Sequence, residues 1–299
     1  MDARTAWASG SRGTVIRTID GGTTWRVDSI PGASRLDLRS IHARGAQVAH
    51  VAATAGRIWR TTDGGQSWSL RYQASDTSVF LDAIAFWDER HGVALGDPMN
   101  GRFFLVTTDD GGGTWRESPL IQGPASVDGE AAFAASGSSL LIDGPRGMWI
   151  GSGGTAARLH KSTDQGRSWT TFSSPLRQGA SSLGIFSLAR FGGRIVAVGG
   201  DYQVDSARTG NHGIFDSARG EWAPAGAASP RGFRSGIAIS QSIAIAVGQA
   251  GSDVSTDGGV TWRAFDATGF HAVRVSPEGT FYASGSDGRV SVYHSRAPR

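Results

Sequence analysis

Apolar and polar positions alternate in short runs along this chain, and the runs recur in a fixed order. Ala83-Ile84-Ala85-Phe86 is followed by Gly92-Val93-Ala94-Leu95-Gly96, and then by an apolar run from Phe103 to Thr107. Short runs of this kind, bounded by Gly, Asp and Asn, read as β-strands joined by tight turns. The third run leads into an eight-residue motif, Thr108 to Trp115. The same motif stands at Thr18 to Trp25, Thr61 to Trp68, Ser162 to Trp169 and Ser255 to Trp262. A worn copy with one residue too many spans Asp216 to Trp222.

Each residue of the motif has a turn-building task. The carboxylates of Asp20, Asp63, Asp110, Asp164 and Asp257 can accept hydrogen bonds from the N–H groups just ahead of them. Glycine supplies the positive φ that a tight turn requires. Trp25, Trp68, Trp115, Trp169 and Trp262 each begin the next strand and carry a large ring into the core. The motif is therefore read as a structural device. Its tryptophans, with Trp222, stand 40 to 54 residues apart, the spacing of a four-stranded propeller blade.

The predicted fold is all-β: one seven-bladed β-propeller over 1–299 with Asp-box turns. The expected blades are 1–30, 35–73, 79–120, 129–174, 183–226, 232–266 and 269–294. The first blade shows only a second, third and fourth strand, and the last only a first, second and third. A single upstream segment of roughly 25 residues, at ordinary strand and loop lengths, would supply both missing strands and follow a secretion signal. The ring is thus expected to be incomplete at the N-terminus.

Composition narrows the chemistry. Glycine is 44 of 299 residues, about twice the usual share, and no long Gly/Ser tract holds it, so it belongs to ordered turns. Net charge is +3. The arginines are scattered, and the dense basic stripe that a phosphate backbone needs is missing, so nucleic acid is not an expected partner. Cysteine is absent, which excludes disulfides, thiol catalysis and Cys-ligated zinc. The histidines lack metal spacing, so no metal is expected. His212 and His294 are read as solvent-facing. No apolar run is long enough to span a membrane. No Gly-x-Gly-x-x-Gly stands between a strand and a helix, so no dinucleotide cofactor is expected.

Site candidates come from two sources. The first is loop length. The turns between second and third strands are long in blades 3, 4 and 5: Gly96 to Gly101, Gly151 to Arg158, and Gly199 to Gly213. The connection Glu117 to Glu130 is long as well. Function tends to reside on loops carried by a rigid scaffold. The second source is misplaced charge. Glu130, Arg234 and His271 stand where innermost strands begin, and Asp97, Arg158, Asp201 and Tyr202 stand in the longer turns. Buried charges need partners, so Glu130 with Arg158 and Asp201 with Arg234 are the expected ion pairs. Asp253 and Asp287 read as turn residues. The same residues also make a candidate ligand site: Arg158, Arg234, Asp201, Tyr202 and Glu130 for binding, with Glu130, Asp97, Asp201, Tyr202 and His271 as catalytic candidates.

The boxes, together with Gly199-Gly200-Asp201-Tyr202, Gly232-Phe233-Arg234-Ser235-Gly236 and the stretch from Gly129 to Gly137, resemble the bacterial propellers grouped with photosystem II stability and assembly factors. That resemblance covers nearly the whole chain and implies a partner protein bound by the propeller. Sialidases share the box and imply a carboxylate and arginine site; their Arg-Ile-Pro start is absent here. The expected function is a non-catalytic binding or assembly propeller of the bacterial cell envelope. It is periplasmic or secreted, with the cytoplasm left open, and monomeric, and it binds a partner protein or an acidic small molecule or glycan at the rim of blades 3–5. The alternative is a glycan-active hydrolase or lyase.

Overall fold

The structure is a computed structural model that describes residues 4–223 and 228–294. Positions 1–3 of the first expected blade and 224–226 of the fifth lie outside the described residues. Seven antiparallel sheets follow one another along the chain as a seven-bladed β-propeller, with no α-helix among the described residues.

The first sheet holds β1 (Ala6–Ser9), β2 (Thr14–Thr18) and β3 (Arg26–Ser29). The second holds β4 (Leu38–Arg44), β5 (Val48–Ala53), β6 (Arg57–Thr61) and β7 (Ser69–Gln73). The third holds β8 (Leu81–Phe86), β9 (Gly92–Met99) and β10 (Arg102–Thr108). Two short strands, β11 (Glu130–Ala131) and β14 (Gly153–Gly154), belong to the fifth sheet. The fourth is β12 (Leu140–Asp143), β13 (Gly147–Gly151), β15 (Arg158–Ser162) and β16 (Thr170–Ser173). The fifth runs β11, β14, β17 (Ala180–Phe191), β18 (Arg194–Asp201), β19 (His212–Asp216) and β20 (Glu221–Trp222). The sixth is β21 (Gly236–Ser240), β22 (Ile243–Gly248), β23 (Gly251–Ser255) and β24 (Arg263–Asp266). The seventh is β25 (Ala272–Val275), β26 (Thr280–Ser284) and β27 (Val290–His294).

The chain divides into two compact units, 1–126 with 140–149 and 161–170, and 127–139 with 150–160 and 171–299. In the first, Ile58, Leu81, Phe86, Val106 and Trp115 form one core cluster. In the second, Val196, Val198, Ile237, Ala246 and Trp262 form another.

The repeated motif folds the same way in all five copies. In the first, Thr18 Oγ1 donates to Asp20 Oδ1 at 2.8 Å, and the Gly22 N–H donates to Thr18 Oγ1 at 2.9 Å. The Thr24 N–H donates to Asp20 Oδ1 at 2.9 Å, and Thr24 Oγ1 to Oδ2 at 2.5 Å. The two residues after each aspartate take positive φ, for example Gly64 at 74° and Gly65 at 84°. The fourth copy uses Gln165 and Gly166 there, at 60° and 89°. Hydrogen bonds from Ser67 and Thr61 hold Asp63 at about 2, well below the usual carboxylate range, and Asp20 is held the same way.

Three innermost strands carry one extra residue: Arg39 in β4, Asp82 in β8 and Phe186 in β17 are each skipped in the pairing register. Bulges of this kind re-aim a side chain. Just beyond, the hydroxyls of Ser40 and Ser187 accept the N–H groups of Ile84 and Ile237 at 3.1 and 3.0 Å.

Two details differ from the sequence expectation. The long turn from Gly96 to Gly101 is an extended hairpin closed by Asn100-Gly101, at φ 52° and 77°. An Asn-Gly pair with both φ positive suits the twist of its flanking strands, so the hairpin continues to the turn. Glu130 does not begin the innermost strand of the fourth sheet, which is Leu140–Asp143. Its two-residue strand pairs with Gly153 and Gly154 instead.

Candidate functional site

The sequence-predicted charged residues fall into separate clusters, most of them in the second unit. The first cluster forms around Glu130. Strand β11 can lie against β14, and β14 against β17, only because two glycines remove the side chains between them. A Cβ at Gly153 would overlap the Leu183 carbonyl and the Phe133 ring, and one at Gly154 would overlap the Gly129 carbonyl. The Glu130 side chain is thereby fully buried. Its Oε1 accepts from Arg158 Nε at 2.9 Å, Ser152 Oγ at 2.5 Å and His160 Nε2 at 3.3 Å. Its Oε2 accepts from Arg158 Nη2 and from the Val127 N–H at 3.0 Å. Burial pushes the carboxyl pKa up. The hydrogen bonds from His160, Arg158, Ser152 and Val127 outweigh burial and hold it at about 2.

His160 is fully buried, and burial lowers its pKa despite Glu130. The ring is therefore neutral at neutral pH. Nε2 carries the proton given to Glu130, and Nδ1 accepts from Thr171 Oγ1 at 2.9 Å. Sequence reading finds Glu130 with Arg158 but misses His160, an isolated histidine with no motif around it.

The second cluster forms around Asp253. Its Oδ2 accepts from Arg234 Nε at 2.8 Å, from Arg234 Nη2 and from the Arg231 N–H at 3.0 Å. Its Oδ1 accepts from Arg231 Nε at 3.0 Å. Arg234 is 1 % exposed and Asp253 wholly buried. The expected partner of Arg234 was Asp201, and the expected role of Asp253 was a turn. Both expectations fail for one reason. Gly248 pairs directly with Gly251, so β23 starts early and Asp253 lies inside a strand. Asp201 instead accepts the Gln203 N–H at 2.9 Å and fixes its own turn.

Between the two clusters runs a set of rings. Phe133 stacks on Phe186 with centroids 3.7 Å apart, and Phe186 meets Phe233 edge-on at 4.7 Å. Tyr202 touches Phe186 and Phe233 at 6.1 and 6.3 Å and stays 41 % exposed, with Val204 beside it at 48 %. Asn211, fully buried, donates to the Pro230 and Gly232 carbonyls at 2.7 Å each, and the Phe233 N–H donates to the Asp205 carbonyl. These bonds lock the 202–211 connection onto the segment 230–234. His271 pairs with Ser286 Oγ at 2.9 Å, and burial lowers its pKa.

Asp97 belongs to the first unit, beside Asp82. Asp82 is 1 % exposed, and its Oδ2 has no hydrogen-bond partner. Burial pushes its pKa well up and Asp97 pushes it further, against Arg39. A cavity of about 340 Å³ also lies in the first unit, against Phe104 and Leu105 of β10, with Glu117 and Gln122 on its wall. It contains none of the predicted site residues. Among the described residues, no three His, Asp or Glu side chains converge as metal ligands do.

The carboxylates of the two ion-pair clusters are satisfied, whereas Asp82 Oδ2, Asp205 Oδ1 and Asn211 Oδ1 are buried without a hydrogen-bond partner. Glycoside hydrolysis needs two carboxyl groups about 5 to 10 Å apart across an open cleft. Glu130 and Asp253 each spend both oxygens on neighbours, and Asp201 Oδ1 is engaged in its own turn.

No protein-family model and no curated protein sequence matches the chain. Solved structures do match in fold. "YCF48 bound to D1 peptide" aligns over 99 % of this chain and 91 % of that one, at 19 % identity and a TM-score of 0.71. YCF48 from Cyanidioschyzon merolae aligns over 98 % and 92 %, at 18 % identity and a TM-score of 0.61. The Niastella koreensis GH74 enzyme aligns over 98 % of this chain but 51 % of its own, at 14 % identity and a TM-score of 0.63. At such identities the likeness carries the fold, and a fold hosts many functions.

Proposed function

We propose that this chain is a binding propeller of the bacterial cell envelope. A protein partner docks on the surface formed by the 152–157 connection, the 202–211 connection and the segment 228–235. The observation that carries this reading is the mutual consumption of the charged groups. Glu130, Arg158, Arg234 and Asp253 hold loops in place, and Tyr202 and Val204 are left on the outside of the loops so held. Rigid loops with an exposed aromatic suit protein recognition, because little entropy is lost on docking. The fold likeness to a propeller solved with a peptide bound agrees with this reading. A periplasmic or secreted setting belongs to the same proposal.

The test compares wild type with a Tyr202→Ala, Val204→Asp double variant as bait in envelope extract. Partners retained by wild type and lost at least tenfold by a folded variant support the reading. Turnover of an acidic glycan that Glu130→Gln abolishes would replace it with the hydrolase reading.

A further inference from the structure

The third sheet has three strands for a local reason. The chain does return along the outer edge of β10. Thr107 exchanges both main-chain hydrogen bonds with Arg116 at 2.9 Å, and the Phe103 N–H donates to the Pro124 carbonyl at 3.1 Å. Arg102 faces Ala125 in the same antiparallel sense. Arg102 to Thr107 is five steps along the chain and Arg116 to Ala125 is nine, so the returning segment carries four extra residues. They leave the edge as an excursion from Glu117 to Gly123.

The excursion is held away from β10. The Ile121 N–H donates to the Ser118 carbonyl at 3.2 Å, and Trp169 Nε1 donates to the Gln122 carbonyl at 2.7 Å. Ile121 fits beside Leu105 because Gly166 faces both, and a Cβ there would lie 3.1 Å from the isoleucine. A gap remains opposite Phe104, Leu105 and Val106. Along a paired strand, alternate residues turn their N–H and C=O to the same edge. Thr107 and Phe103 turn theirs outward, so Leu105 does too, and it has no hydrogen-bond partner there among the described residues. The cavity of about 340 Å³ lies in this gap, with Phe104 and Met99 as its apolar wall. Arg102 stands at one end, where its Nη1 donates to the Gly123 carbonyl at 3.0 Å. Glu117 stands at the other, where its Oε1 accepts from the Tyr72 hydroxyl at 3.1 Å.

We propose that this gap binds a free tripeptide, antiparallel to β10, with its ammonium group at Glu117 and its carboxylate at Arg102. The middle residue exchanges two hydrogen bonds with Leu105. Three extended residues span roughly 10 Å, the stretch from Phe104 to Val106. The polarity follows from the ladder. A strand antiparallel to β10 begins at the Thr107 end, where Glu117 is, and finishes at the Phe103 end, where Arg102 is. The pairings at Thr107 and Phe103 close the gap at both ends, so a long chain cannot run through it, and an internal segment would bring neither charge. Side chains alternate in face. The middle one lies on the side of Leu105 and Ile121, which favours a small residue, and the outer two lie on the side of Phe104, which favours apolar ones. This site is separate from the loops around Tyr202, and its failure leaves the reading of those loops standing.

The experiment titrates the full chain with the tripeptide Leu-Gly-Leu by calorimetry and follows single amides by NMR-detected hydrogen exchange. The expected dissociation constant is roughly 10–100 µM for a ligand of this size. Acetylating the amino end or amidating the carboxyl end should each weaken binding at least tenfold. Glu117→Gln should abolish the penalty for acetylation and keep that for amidation, and Arg102→Gln should do the reverse. The Leu105 amide should exchange more slowly on binding. Absence of binding at 1 mM tripeptide, equal binding of the doubly blocked tripeptide, or a Leu105 amide that in the free chain already exchanges as slowly as that of Val106, which pairs with Ala94, would each overturn the proposal.

Discussion

Replacing Glu130 by glutamine removes one negative charge from a site where five donors converge on a carboxylate. The shape stays, but the new amide nitrogen points donors at donors. The folded chain holds this carboxyl at about 2, against an ordinary 4.5. At about 1.4 kcal/mol per tenfold in proton affinity, that difference is worth about 3 kcal/mol to the folded state. Arg158 keeps 19 % of its side chain exposed and can turn toward water, so a loss of about 2 kcal/mol is the lower expectation. For a chain of this size, such losses lower the melting temperature by about 5 °C. The pH dependence has a definite sign. The stabilisation is complete above pH 4.5 and is lost as pH falls toward 2, because the unfolded carboxyl takes its proton first. Urea unfolding of wild type and Glu130→Gln should therefore differ most at pH 7, and the difference should shrink to about 1 kcal/mol at pH 2.5. Equal stability at pH 7, or a difference at pH 2.5 as large as that at pH 7, refutes the reasoning.

Other outcomes follow from the same geometry. Asp82 has the opposite sign: burial and Asp97 raise its pKa, so its folded state loses stability as pH rises past the usual carboxylate range. Asp82→Asn should stabilise the chain by about 1 kcal/mol at pH 8 and by nothing below pH 4, measured by denaturant unfolding. Gly153→Ala should cost about 2 to 3 kcal/mol in thermal unfolding, because the new Cβ overlaps the backbone of Leu183 and the ring of Phe133. The turn carboxylates of Asp20, Asp63, Asp110, Asp164 and Asp257 should titrate near 2 in a carbon-detected NMR pH series. Midpoints near 3.8 would contradict the hydrogen bonding described for these turns.

What the sequence reveals divides along local and non-local lines. Each aspartate turn closes within eight residues, so its chemistry is visible in a short string, and its repetition predicts the propeller. The Glu130–Arg158 pair is also legible, as two charges misplaced in one repeat. The strand that holds Glu130 is not, because it depends on two glycines more than twenty residues away. The Arg234–Asp253 pair is hidden because the Gly and Ser around Asp253 read as a loop, whereas a two-residue hairpin lets the strand start early. Arg39, Asp82 and Phe186 occupy one column of the repeat, just before Ser40, Ala83 and Ser187.

Buried ion pairs organise the loop surface of the second unit. Hydrogen exchange on the full chain carrying Asp253→Asn tests that organisation most directly. That change leaves Arg234 buried without its anion, and the account predicts that amides in 202–211 and 228–235 exchange at least tenfold faster while the β22 amides keep their protection. Unchanged exchange in both segments would contradict it.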